Sequence, residues 1–68
     1  MAQDHPQQRT KRVLRRPEVE ARTGLPRSTL YQRIKDGRFP APIRIGARAV
    51  AWREEDVEEW LSSLPEAG

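Results

Sequence analysis

The chain has 68 residues, 35% of them apolar and 34% charged, with a net charge of +3 and no cysteine. A chain of this length buries about two thirds of its accessible surface, enough for one small core and too little for a deep substrate cavity. Lack of cysteine excludes disulfides, thiolate zinc sites and cysteine nucleophiles, and no apolar run approaches the roughly twenty residues of a membrane span.

Residues 1–11 show no apolar periodicity and read as a disordered polar arm rather than a secretory signal, so the expected location is cytoplasmic. Arg9, Lys11 and Arg12 stand ready there for phosphates. Val13 and Leu14 are the first residues expected in the core. Arg16-Pro17 opens a helix, because the N–H that proline lacks has no partner in a first turn. That helix is predicted to run to about Thr23, with Glu18 and Glu20 near its positive end and Gly24 ending it in a left-handed conformation. Leu25 then turns the chain inward.

A second helix is predicted over 26–36, with Pro26 as its first residue, Gly37 as its stop and Phe39 folding back on the core. At 3.6 residues per turn, Leu30 and Ile34 lie one above the other, while Ser28, Thr29, Gln32 and Lys35 project from the opposite side. Pro40 and Pro42 prevent further helix. Ile43 and Ile45 then alternate with Arg44, and Val50 and Trp52 with Ala51, across a Gly46-Ala47-Arg48 connection. This pattern predicts a hairpin over 43–52 with its apolar side toward the helices, Arg44 exposed and Arg48 at the tip. A third helix is predicted over 54–64. Val57, Trp60, Leu61 and Leu64 recur at i, i+3, i+4 and i+7, Glu54, Glu55 and Asp56 occupy its first turn, and Pro65 closes it. Trp52 and Trp60 read as core aromatics, and residues 65–68 as a tail.

Charge divides along this order. Residues 1–53 hold all 13 Lys and Arg against four carboxylates, a net +9, and residues 54–68 hold six carboxylates and no cation, a net −6. A basic body clustered around the second helix points to a polyanion on one face, with the acidic helix turned away from it. Helix, turn, helix, hairpin, helix is the order of a winged helix-turn-helix, mainly α with a small β-hairpin, over residues 12–64.

Leu14-Arg15-Arg16-Pro17-Glu18-Val19, Arg22-Thr23-Gly24-Leu25, Arg27-Ser28-Thr29-Leu30-Tyr31, Gly37-Arg38-Phe39-Pro40, Arg48-Ala49-Val50 and Ala51-Trp52-Arg53 together resemble the AlpA family. These are small prophage regulators related to phage excisionases and to the DNA-binding part of MerR proteins. The resemblance implies a bacterial or phage-encoded winged helix-turn-helix that binds duplex DNA as a transcription factor, an excisionase or both. It places Arg27, Ser28, Thr29, Tyr31, Gln32 and Lys35 at the major groove or its flanking phosphates and Arg48 on the wing. Two positions depart from the family's habit: Pro26 stands where a capping Ser is common, and Glu20 where an apolar residue is frequent.

Residue chemistry grades these roles. The Gln32 amide can donate and accept to adenine, and Lys35 reaches either guanine or a phosphate one turn later. Ser28 and Thr29 serve either a phosphate at the helix N-terminus or the cap itself. Arg27 and Arg33 flank the inward face and reach toward the DNA backbone, joined on the wing by Arg44. Tyr31 either bonds a phosphate or covers the edge of the core, and Arg48 is either a minor-groove or phosphate contact or an ordinary hairpin residue.

Catalysis fails on inventory. His5, the sole histidine, lies in the arm, and dipole complementarity accounts for the carboxylates of the third helix, so no catalytic residue, metal or cofactor is expected. Tyr31 and Phe39 are the only aromatics besides the two tryptophans, too few for an RNA-stacking platform. The rival to DNA binding is a protein-interaction adaptor whose acidic helix docks on a recombinase (an integrase) or RNA polymerase. No long dimerisation helix follows the domain, so a monomer assembling cooperatively on repeated DNA sites is expected.

Overall fold

The structure, a computed structural model, describes residues 12–67. The arm expected at 1–11 lies outside them. In chain order the elements are β1 (Val13–Leu14), α1 (Arg16–Thr23), α2 (Arg27–Lys35), β2 (Ile43–Arg44), β3 (Val50–Arg53) and α3 (Glu54–Ser62). Helix, turn, helix, hairpin, helix is present, preceded by a strand that the sequence pattern did not announce.

Each helix end has a local cause. Arg15 is extended, and its carbonyl accepts the N–H groups of Glu18 and Val19, each at 3.0 Å, with Pro17 in the first turn. Gly24, at φ 76°, closes α1 in the left-handed region expected of it. Pro26 was expected as the first helical residue of α2 but stands one place outside. Its ψ of 164° is extended, and its carbonyl accepts the Leu30 N–H at 2.9 Å, so it is the cap. At the other end Gly37 has φ 75°, the Gly37 N–H bonds the Ile34 carbonyl at 3.0 Å, and the Arg38 N–H bonds the Arg33 carbonyl at 2.8 Å. That paired closure is a Schellman motif, and it turns the chain sharply toward the core.

Strand β3 is central in a three-stranded antiparallel sheet of order β1-β3-β2, with Leu14 opposite Trp52 and Ile43 opposite Ala51. Two details of the expected hairpin change as a result. Ala51, expected to face away from the helices, is fully buried together with Trp52, opposite Ile43 of β2. Ile45, expected inward, is 44% exposed, since β2 ends at Arg44 and Ile45 keeps only a backbone bond from its N–H to the Ala49 carbonyl.

Helix α3 follows β3 with no intervening residue and ends at Ser62, where the Ser63 hydroxyl donates to the Trp60 carbonyl at 2.7 Å. Leu64, expected as the fourth member of the apolar stripe, therefore lies past the helix and is 46% exposed. The remaining stripe meets the core. Leu14, Val19, Leu30, Trp52 and Val57 are fully buried with Phe39 beside them, and Leu25, Ile34, Trp60 and Leu61 pack around this cluster. Phe39 and Trp60 meet edge to face at 4.8 Å. The indole N–H groups find backbone acceptors on the segment after α2, Trp52 to the Pro40 carbonyl at 2.9 Å and Trp60 to the Arg38 carbonyl at 2.8 Å.

Arg22 pins α1 to α3, reaching Glu54 at 3.0 Å and Glu58 at 2.8 Å. The bond to Glu54 does most to hold its guanidinium above the ordinary arginine value, with Glu58 and Glu18 adding to it against some desolvation. Glu20, at the position where an apolar residue is frequent, pairs with Arg16 at 2.8 Å along the same helix face, which keeps its carboxylate half-exposed and satisfied.

Candidate nucleic-acid interface

Helix α2 sits between two polar grooves. Its inner side is fixed by Leu30 and Ile34, so the residues a turn away must face out, and Arg27, Ser28, Tyr31, Gln32 and Lys35 are exposed as expected. Thr29, expected to face out with them, is half-buried, as is Arg33. On one side a groove of about 510 Å³ is lined by Ser28, Thr29, Gln32, Arg33, Asp36 and Arg38. On the other a cleft of about 450 Å³ is lined by Arg15, Arg16, Pro17, Tyr31, Arg48 and Val50. The candidate residues are thus divided, with Gln32 in the first groove and Tyr31 and Arg48 in the second.

The first groove is the more chemically varied. The Gln32 amide nitrogen donates to Asp36 Oδ1 at 3.2 Å, which fixes the amide plane and leaves its oxygen and second N–H for a ligand. Ser28 and Thr29 make no cap: Pro26 holds that position, α2 has no side-chain cap, and neither hydroxyl has a hydrogen-bond partner among the described residues. Both hydroxyls are therefore available to an acceptor arriving at the start of α2. Arg33 Nε is buried with no acceptor among the described residues, a state that costs roughly 1–3 kcal/mol for a polar group and is relieved by any oxygen that reaches it.

Across the helix, the Tyr31 ring packs edge-on against Trp52 with centroids 6.3 Å apart, and the Arg27 guanidinium lies 6.0 Å from the same ring. The ring covers the core edge, one of the two roles weighed for it, while its hydroxyl has no partner among the described residues. Arg44 does not project freely from the hairpin: its Nη1 donates to the Ala47 carbonyl at 3.0 Å and braces the turn. Arg48 is exposed and lines a cleft with residues at the start of α1 rather than standing isolated at a tip.

Four charged groove residues escaped the sequence analysis: Asp36, Arg38, Arg15 and its neighbour Arg16. Arg38 enters because Gly37 reverses the chain beside α2, Asp36 because it lies one turn beyond Gln32, and Arg15 because β1 delivers the start of α1 to the wing. The i, i+4 spacing of Gln32 and Asp36 was a readable signal. The presence of Arg15 and Arg48 in one cleft, 33 positions apart in the sequence, had none.

A helix-turn-helix with one exposed side on its second helix, followed by an antiparallel hairpin and a packing helix, is a winged helix-turn-helix domain. The family model described as prophage CP4-57 regulatory protein (AlpA) matches residues 12–64, and the chain belongs to that family. The chain is 43% identical to the uncharacterized protein ORF88 of Enterobacteria phage P4 over 51 residues, covering 75% of this chain and 58% of the phage protein. It is 37% identical over 57 residues to the DNA-binding transcriptional activator AlpA of Escherichia coli, covering 75% of this chain and 81% of that relative. The chain accordingly spans less than two thirds of the phage relative's length. No helix among the described residues is long and apolar enough to cross a membrane.

Proposed function

We propose that the chain is a sequence-specific duplex-DNA-binding regulator, with α2 in the major groove and the β2–β3 hairpin as a wing along the backbone. The observation that carries this reading is the outward side of α2, where Arg27, Ser28, Gln32 and Lys35 are exposed and none of the described carboxylates forms an ion pair with it. A readout amide is already oriented there, and cations bracket it. The DNA-binding activity of the Escherichia coli relative supports the same assignment. Residues 12–64 form the binding unit and 65–68 a tail. It works in the cytoplasm as a monomer that assembles cooperatively on repeated sites, in transcription, in directing recombination toward excision, or in both.

Selection of random and source-genomic duplex fragments by the purified protein at physiological salt tests this directly. A short enriched motif is expected. Repeats beside an attachment site would assign excision, and motifs over a promoter would assign transcription. No enrichment even at low salt would overturn DNA binding. About five neutralised phosphates would make log affinity fall with log salt at a slope near −4 or −5.

A second reading has its own observation. A groove of about 460 Å³ lined by Pro40, Asp56, Glu59, Trp60 and Ser63 places two carboxylates beside an indole on α3. That chemistry fits a basic, apolar segment of an integrase or RNA polymerase, and this face is compatible with simultaneous DNA binding by α2.

A further inference from the structure

We infer that Arg15 and Arg48, together with the Tyr31 hydroxyl, clamp a single DNA backbone phosphate in the cleft between the start of α1 and the wing. The inference rests on the DNA-binding reading and adds to it a defined anion site that includes a residue, Arg15, outside the helix-turn-helix and the wing.

Four features build the site. Arg15 and Arg48 line one cleft, one on the extended residue before α1 and the other on the β2–β3 connection. No carboxylate lines that cleft, whereas the groove on the far side of α2 contains Asp36. The other arginines near the start of α1 are already engaged. Arg16 is tied to Glu20 at 2.8 Å and Arg12 to Glu18 at 3.4 Å, but Arg15 and Arg48 have no hydrogen bond or ion pair among the described residues. Tyr31, held by its ring against Trp52, brings a neutral donor to the same cleft.

The backbone holds these walls in place without help from the arginine side chains. The Arg15 carbonyl closes the first turn of α1, and β1, paired to β3, joins that turn to the wing. Two guanidinium groups in one cleft suit a phosphate, whose free oxygens accept from several donors at once. A base edge offers no such anionic group. One phosphate fixed between the recognition helix and the wing would set the register of both on the duplex.

The test is the salt dependence of binding to a short fluorescent duplex, measured for the wild type, Arg15→Gln, Arg48→Gln, the double variant and Tyr31→Phe. Each substitution removes an exposed, unpaired group, and thermal melts verify that the variants fold. If both arginines serve one phosphate, each single variant leaves the slope nearly intact and only the double variant reduces its magnitude by about 0.9. Tyr31→Phe loses between about two- and tenfold in affinity at unchanged slope, because the hydroxyl carries no charge. Reductions of about 0.9 in each single variant and twice that in the double would show two separate phosphates and overturn the clamp. Unchanged slopes throughout would remove the cleft from the interface while leaving DNA binding through α2 standing. If the wild type bound no duplex even at low salt, the DNA-binding reading itself would fall, and the clamp with it.

Discussion

Helices α2 and α3 are both nine residues long, and each buries one side chain completely, Leu30 in the first and Val57 in the second. They differ in what their charges do. In α3, Glu54 and Glu58 are drawn to Arg22 and hold α1 in place, so part of the acidic face serves the fold. In α2, Arg27 and Lys35 have no carboxylate partner among the described residues, and the one acid nearby, Asp36, aligns an amide. The same division runs through the arginines: Arg12, Arg16 and Arg22 are paired with glutamates around α1, whereas Arg15, Arg27 and Arg48 are not. A net charge of +9 over residues 1–53 thus overstates the polyanion-binding surface. Cations left over after the fold has taken its share are the ones that define it.

The contrast can be broken at once by removing what both helices lean on. Trp52→Ala should cost about 3–5 kcal/mol, comparable with the whole stability of so small a domain, so thermal melting should lose its cooperative transition and duplex binding should vanish with it. A sharper cut is Gln32→Ala. It should relax base preference at one position by about 1–3 kcal/mol without altering the salt slope, as read from selection experiments on the variant. Gly37→Ala has open space for its methyl group but must hold φ 75°, so a loss of about 1 kcal/mol in the melt is expected, together with weaker binding through the displaced end of α2. The smallest effect should come from Glu55→Gln with Glu59→Gln. These exposed carboxylates make no ion pair among the described residues, and duplex affinity should change by no more than about twofold at physiological salt, where charges beyond a Debye length are screened. A larger change there would erase the distinction between the two faces, while loss of partner recruitment at constant DNA affinity would establish it.

Much of this architecture was legible because it follows from local rules. Gly24 and Gly37 mark helix ends, Leu30 and Ile34 mark an inner side, and Val57 with Trp60 and Leu61 marks another. What escaped was set by pairing between distant segments. Val13–Leu14 is too short to register as a strand until β3 offers it a partner, and Ala51, paired with Ile43, is buried against the alternation of its own segment. Leu64 obeyed the helical period but lay beyond a helix already stopped at Ser62, a reminder that periodicity gives a direction without a length. The exposure of the candidate residues on α2 followed from helical phase alone. Their division between two grooves, and the arrival of Arg15 and Arg38 in them, required the turns at either end.

Arg53 is at once the last residue of β3 and the cap of α3, and its successor Glu54 donates its backbone N–H to the Arg12 carbonyl at 3.0 Å. With no connecting residue there is no hinge between hairpin and helix. A wing tilted on a bound duplex would carry α3 with it like the two arms of a bell crank, so a bend in that DNA would be expressed as the heading of the acidic face.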